Sequence, residues 1–105
     1  MKFEELKVGQ QIKDKESYGC AYDEDDYEVV YEVIAINTEK RKVKIKQVSR
    51  ILTLNCGKPT DKKNSFINRG PMWCRAYADE HDGIDYLYNG SQRFCLRLED
   101  RFLIK

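Results

Sequence analysis

The residues best able to bind a metal in this 105-residue chain are four cysteines and one histidine. Structural zinc sites usually present thiolates in close pairs, about two to four residues apart. The cysteines here are separated by tens of residues, and only Asn55-Cys56-Gly57 resembles half of such a pair. We therefore predict no metal and no cofactor, and keep a zinc-stabilised structural domain as the second alternative. The five residues are Cys20, Cys56, Cys74, Cys95 and His81.

Catalytic chemistry is weakly indicated. A nucleophile needs a base within hydrogen-bond reach and a third group that orients the base. The single histidine lies in a predicted charged turn, and no nucleophile-elbow, phosphate-loop or dinucleotide motif occurs. A pair formed by Cys56 or Cys74 with His81 stays open, since spatial adjacency is invisible in sequence. The acids between Asp79 and Asp85 lack the alternate spacing of a calcium loop and are interpreted as solvated. We expect no enzymatic activity.

A group of aromatic and basic residues marks the second half of the chain. Asn89-Gly90 favours a two-residue hairpin turn, which would place Tyr88 opposite Ser91 and Tyr86 opposite Arg93. Alternation then gives one face to a core and the other to polar and aromatic side chains. The core face has Leu87, Phe94, Leu96 and Leu98, and the outer face has Tyr86, Tyr88, Arg93, Arg97, Ile84 and Cys95. On the preceding strand Trp73, Arg75 and Tyr77 share one side.

Tyrosines flanked by arginines suit two kinds of ligand. Single-stranded nucleic acid stacks its bases on the rings and contacts the guanidinium groups with its phosphates. Protein interfaces use the same residue types as anchors because they give large, stiff contact areas. Cross-strand packing of Tyr against Arg on an ordinary sheet face would produce the same pattern.

Charges are segregated although the net charge is only +1, which argues against an overall attraction to nucleic acid or membrane. The first charged segment has only acids, namely Asp23, Glu24, Asp25, Asp26, Glu28 and Glu32. The next has only bases, namely Lys40, Arg41, Lys42, Lys44, Lys46 and Arg50. The acids read as a solvated loop or a loop that faces a partner. One hypothesis is that the lysines contact a phosphate backbone. The other is that they occupy the solvent-exposed face of a strand and protect a sheet edge from pairing with other chains.

Most of the pattern predicts β-structure. Val29–Ile36 is rich in β-branched residues, Lys42–Lys46 alternates with period two, and turn residues separate them, so we predict a hairpin. The other predicted strands are Gln10–Lys13, Met72–Tyr77, Ile84–Tyr88, Ser91–Leu98 and Phe102–Ile104. Short helical turns are expected near Phe3 and after Glu99, and long loops at Asp14–Tyr27 and Leu54–Gly70.

These elements predict a mostly β fold, a small antiparallel β-barrel that is SH3-like or related, in one domain spanning residues 1–105. Acids near the amino terminus and the lack of a long apolar run indicate neither a signal peptide nor a membrane helix. We therefore expect a cytoplasmic protein with reduced cysteines and no membrane partner.

The pattern as a whole favours a non-enzymatic binding module with a protein partner. The predicted interface combines the acidic loop with the aromatic face, namely Asp23, Glu24, Asp25, Asp26, Trp73, Arg75, Tyr77, Tyr86, Tyr88 and Arg93. The alternative is a small barrel that binds RNA or other single-stranded nucleic acid. That alternative adds Lys42, Lys44, Lys46 and Arg97 to the aromatic face.

Overall fold

The computed structural model describes residues 1–20, 22–99 and 103–104. Within these ranges it contains one 3-10 turn, Phe3–Glu5, and eight strands. The strands are β1 Gln11–Tyr18, β2 Asp25–Asn37, β3 Lys42–Asn55, β4 Lys58–Asn64, β5 Met72–Asp79, β6 Ile84–Asn89, β7 Phe94–Arg97 and β8 Leu103–Ile104. None of the helical residues in these ranges forms a segment long and apolar enough to cross a membrane.

The strands form one antiparallel sheet in the order β7-β6-β5-β3-β2-β1-β8, and β4 pairs with β3 beside β5. Because β8 returns to pair with β1, the sheet curls into a nearly closed barrel. The predicted small antiparallel β-barrel is confirmed, as is the helical turn near Phe3. The helical turn predicted after Glu99, and Phe102 of the last predicted strand, lie outside the described residues.

The predicted hairpin is confirmed, but its strands are much longer than expected. Only the first part of β3, Lys42–Ile45, pairs with β5, whereas its last part pairs with β4. The last part of β3 forms a second region of the sheet with the end of β1, the start of β2 and β4. We call this region the arm, formed by residues 15–18, 25–28, 50–55 and 58–64. The loops predicted at Asp14–Tyr27 and Leu54–Gly70 were therefore largely wrong.

The arm is missed by sequence patterns because long-range pairing overrides its polar composition. Cross-strand ion pairs compensate its charges, with Lys15 Nζ 3.2 Å from Asp26 Oδ2 and Arg50 Nε 3.0 Å from Glu16 Oε1. The Arg50 guanidinium also lies 3.7 Å from the centre of the Tyr27 ring. Polar residues thus form strands here by pairing with one another.

Sheet edges are protected differently from the expectation. Within the described residues, strand β4 pairs with β3 alone. It carries Pro59 and lysines, which hinder pairing with another chain. At Lys42 and Lys44, strand β3 has β2 on one side and β5 on the other, so the hypothesis that these two lysines protect an edge was wrong. Lys46 pairs with β2 and lies beyond the residues that pair with β5. The position of all three lysines on the wet side of β3 is confirmed, since Val43 and Ile45 between them are buried.

The barrel interior holds the residues that alternation assigned to it. The four predicted core residues Leu87, Phe94, Leu96 and Leu98 are all buried. The Tyr31 ring meets Phe94 edge-on, with ring centres 5.1 Å apart. The remaining buried apolar residues are Phe3, Leu6, Ile12, Val29, Val33, Val43, Ile45, Met72, Cys74 and Ala76.

The turn between β6 and β7 differs from the predicted one. Tyr88 pairs with Cys95 and Tyr86 with Arg97, a shift of four residues from the predicted register. Asn89 causes the longer turn, since its side-chain oxygen accepts the Gln92 N–H at 3.0 Å and its amide donates to the Trp73 carbonyl at 2.9 Å. Because the shift is even, every side chain on the two strands keeps its predicted face.

Asp85 is buried rather than solvated, which corrects the interpretation of the acids between Asp79 and Asp85. It is 1% exposed, and its Oδ2 accepts the backbone N–H of Phe3 at 2.7 Å. Arg41 donates to the same oxygen at 3.2 Å, and Arg41 also pairs with Glu4. Asp85 therefore fastens the 3-10 turn and the β2–β3 turn to the barrel.

Candidate functional site

The outer side of β3, β5 and β6 combines the aromatic residues with the lysines. Lys44 pairs with Trp73 and Lys42 with Arg75 between β3 and β5. On the other side of β5, Arg75 pairs with Tyr88 and Tyr77 with Tyr86. These side chains alternate with buried ones and point away from the core. We call this surface the platform, formed by Lys42, Lys44, Trp73, Arg75, Tyr77, Tyr86 and Tyr88.

Three aromatic rings of the platform are substantially exposed. Trp73 and Tyr88 are each 44% exposed, and Tyr77 is 38% exposed. The Tyr77 ring stacks on Tyr86, with ring centres 5.5 Å apart, and meets Tyr88 edge-on at 6.0 Å. The Arg75 guanidinium lies 5.7 Å from the centre of the Tyr77 ring. These contacts orient the rings, while the exposed fraction leaves ring surface for a ligand.

The platform cations are not neutralised by neighbouring acids. In the described part of the chain, no carboxylate lies within salt-bridge distance of the Lys42 or Lys44 ammonium or of the Arg75 guanidinium. Lys46 continues the row, and its register partner on β2 is an acid, Glu32. The platform therefore has a positive side along β3 and an aromatic side along β5 and β6.

Two predicted arginines are not available on this surface. Arg97 donates to Asp79 at 3.1 Å, to Glu99 at 3.2 Å and to Asp82, so carboxylates occupy its guanidinium. The pKa of Asp79 is lowered by the backbone N–H of His81 and by Arg97. Arg93 lies in the β6–β7 turn with φ of 51° rather than on the strand face.

The acidic residues lie far from the platform. Asp23 and Glu24 occupy the β1–β2 turn, Asp25 begins β2, and Asp26 is only 7% exposed beside Lys15. Asp26 pairs with Leu54, ten residues farther along β3 than Lys44. At roughly 3.3 Å per residue, ten residues correspond to about 33 Å along the strand. The acidic segment and the aromatic face therefore do not form one continuous surface.

The structure also separates the candidate nucleophiles from His81. Cys74 faces the core, where burial raises the pKa of its thiol to about 12, whereas His81 lies in the exposed β5–β6 turn. Cys56 lies at the tip of the arm, in a tight turn with φ of 50° at Cys56 and 76° at Gly57. Across residues 1–20, 22–99 and 103–104, no three His, Cys, Asp or Glu side chains are grouped to hold a metal.

Sequence reasoning missed two surface features. The first is a groove of about 890 Å³ beside the platform, which depends on contacts between the 3-10 turn, the β2–β3 turn and β5. The second is an exposed apolar pair in the loop before β5, where Phe66 is 91% exposed and Ile67 is 50% exposed. An apolar pair in a polar loop was a visible signal for the second feature. The groove had no such signal.

Comparison with known proteins adds no assignment to this geometry. No protein-family model, curated protein or solved structure matches the chain.

Proposed function

We propose that this chain is a non-enzymatic binding module that holds single-stranded nucleic acid on the platform. The observation that carries the proposal is the register of β3 and β5, which sets Lys44 beside Trp73 and Lys42 beside Arg75. Cations and exposed rings in adjacent rows match a ligand that alternates phosphates with planar bases.

The lysines on β3 and the aromatic residues on β5 and β6 would contact different parts of the ligand. Lys42 and Lys44 lie two residues apart on one side of β3, so their Cα atoms are separated by about 6.7 Å. This spacing lets each ammonium contact a successive phosphate of an extended strand. Trp73 and Tyr88 then offer ring faces to the bases, and each stacked base contributes about 1–3 kcal/mol.

A single strand suits this surface better than a duplex. Bases in a duplex are stacked on one another and do not present their faces to Trp73, Tyr77 or Tyr88. A duplex would contact only the platform cations Lys42, Lys44 and Arg75, since Arg97 is occupied by carboxylates. The acidic segment of the arm is too distant to repel a strand bound on the platform.

A titration of a fluorescein-labelled 12-nucleotide RNA, followed by anisotropy, tests the proposal. Tyr88→Ala and Lys44→Ala should each weaken binding about tenfold, and a duplex of the same sequence should bind less tightly. Tyr22→Ala is the matched control, because Tyr22 is 89% exposed and lies on the β1–β2 turn. Equal affinities for wild type and Tyr88→Ala, or a preference for the duplex, would refute stacking on the platform.

A protein partner is the second candidate, favoured by the exposed Phe66. The loop that carries Phe66 is held on both sides, with Ser65 N–H donating to the Arg50 carbonyl at 2.7 Å and Asn68 N–H to Gln47 Oε1 at 2.9 Å. An aromatic side chain presented on a braced loop resembles an interface anchor. The residue types of Trp73 and Arg75 fit the same use.

Affinity capture from lysate, with and without nuclease, separates the two candidates. A protein retained stoichiometrically after nuclease treatment, and lost with Phe66→Ala, would favour the protein partner. Retention of nucleic acid that is lost with Tyr88→Ala would favour the first proposal.

We also propose that the protein is cytoplasmic, and the four free cysteines are consistent with that location.

A further inference from the structure

The groove beside the platform is lined by more cations than carboxylates. It lies between the 3-10 turn, the β2–β3 turn, β5 and the start of β6, with a volume of about 890 Å³. Its five cations are Lys2, Lys40, Arg41, Lys42 and Arg75, and its three carboxylates are Glu4, Glu39 and Asp85.

Two of the three carboxylates are already engaged within the fold. Arg41 pairs with both Glu4 and Asp85, and Lys2 Nζ lies 3.9 Å from Asp85. In the described ranges, Lys40, Lys42 and Arg75 have no carboxylate within salt-bridge distance. The groove thus keeps a surplus of positive charge on the side that faces β3 and β5.

The groove is continuous with the platform. Lys42, Arg75 and Tyr77 belong to both, and Lys42 also lines a smaller cavity of about 260 Å³ against Trp73. A strand that follows Lys44 and Lys42 along β3 therefore arrives at Lys40 and the groove at the amino-terminal end of β3.

We propose that this groove is a subsite for the terminal phosphate of the bound single strand. The inference rests on the proposed function and names the ligand group at one end of the platform. A terminal phosphomonoester carries about −1.5 to −2 charges at neutral pH, against −1 for an internal phosphodiester. The surplus cations of the groove, Lys40, Lys42 and Arg75, discriminate in favour of the more highly charged group.

The test compares 12-nucleotide RNAs that carry a 5′-phosphate, a 3′-phosphate or hydroxyls at both ends, with an internal fluorescein for anisotropy. One of the phosphorylated strands should bind about tenfold tighter than the hydroxyl form. Lys40→Ala should abolish that difference while leaving the affinity of the hydroxyl form within about twofold. Lys63→Ala is the matched control, since Lys63 is exposed on β4 in the arm.

Failure of the groove and failure of the platform give different results. If all three RNAs bind equally to the wild type, the terminal-phosphate subsite is refuted and the platform proposal stands. If none binds, both are refuted. If inorganic pyrophosphate alone shifts the NMR signals of Lys40 and Arg75 while no RNA binds, the groove binds free phosphate and its assignment to nucleic acid is overturned.

Discussion

Replacing Asp85 should destabilise the barrel more than any single surface change. Its carboxylate accepts the Phe3 N–H at 2.7 Å and the Arg41 guanidinium at 3.2 Å while being almost completely buried. Each hydrogen bond to a charged group contributes about 1.5–3 kcal/mol, and the second is discounted because Arg41 is 39% exposed and retains Glu4. Asp85→Ala should therefore lower the free energy of unfolding by about 3 kcal/mol.

Urea unfolding, followed by the fluorescence of the single tryptophan, measures this loss. The unfolding free energy of a small protein falls by about 1–3 kcal/mol for each molar of urea. A loss of about 3 kcal/mol should therefore lower the unfolding midpoint by about 1–3 M urea. Asp85→Asn keeps an oxygen acceptor for Phe3 and should cost about half as much. Asp61→Ala on the exposed face of β4 is the control. If Asp85→Ala shifts the midpoint no more than Asp61→Ala, the fastening role of Asp85 is wrong.

Three further predictions concern single side chains. Burial raises the pKa of Asp14, so ionisation of this carboxyl destabilises the folded state as pH rises. Asp14→Asn should therefore raise the unfolding free energy at pH 7, and this gain should vanish below the ordinary carboxyl pKa. Urea titrations at several pH values measure both effects. Brief alkylation with iodoacetamide at pH 8, analysed by mass spectrometry, should modify the exposed Cys20 and Cys56 and spare Cys74 until urea unfolds the chain. Cys56→Asn should stabilise the tight turn of the arm by about 0.5 kcal/mol, because asparagine adopts positive φ more readily than cysteine, and an unchanged or lowered melting temperature would contradict this.

The barrel part of the fold could be predicted because its strands have one buried face and one solvent-exposed face. Val43 and Ile45 alternate with lysines, and Leu87 alternates with tyrosines, so both the strands and their buried faces follow from the pattern. The turn at Asn89 was misjudged because its side chain bonds to Gln92 and to another strand. The faces survived that error because the register shifted by an even number of residues.

The arm and the platform depend on long-range pairing that a single sequence does not reveal. Polar residues such as Lys15 and Glu16 extend β1 where they form ion pairs with Asp26 on β2 and Arg50 on β3. The register that sets Lys44 opposite Trp73 needs β5 to pair with β3, although β4 lies between them in sequence. Sequence reasoning found the aromatic face and the lysine row separately, and it placed the acidic segment beside the aromatic face, from which the structure separates it.

The most direct test of the account is the salt dependence of RNA binding by the wild-type protein and the Lys42→Ala/Lys44→Ala variant. The three available cations of the platform, Lys42, Lys44 and Arg75, predict a slope of log K against log salt of about −2 for an RNA with hydroxyl ends, since each phosphate contact on a single strand contributes about −0.7. The double variant should bind more weakly and show a slope about 1.4 units shallower. Undetectable binding at low salt, or a slope that the double substitution leaves unchanged, would contradict the platform as a nucleic-acid site.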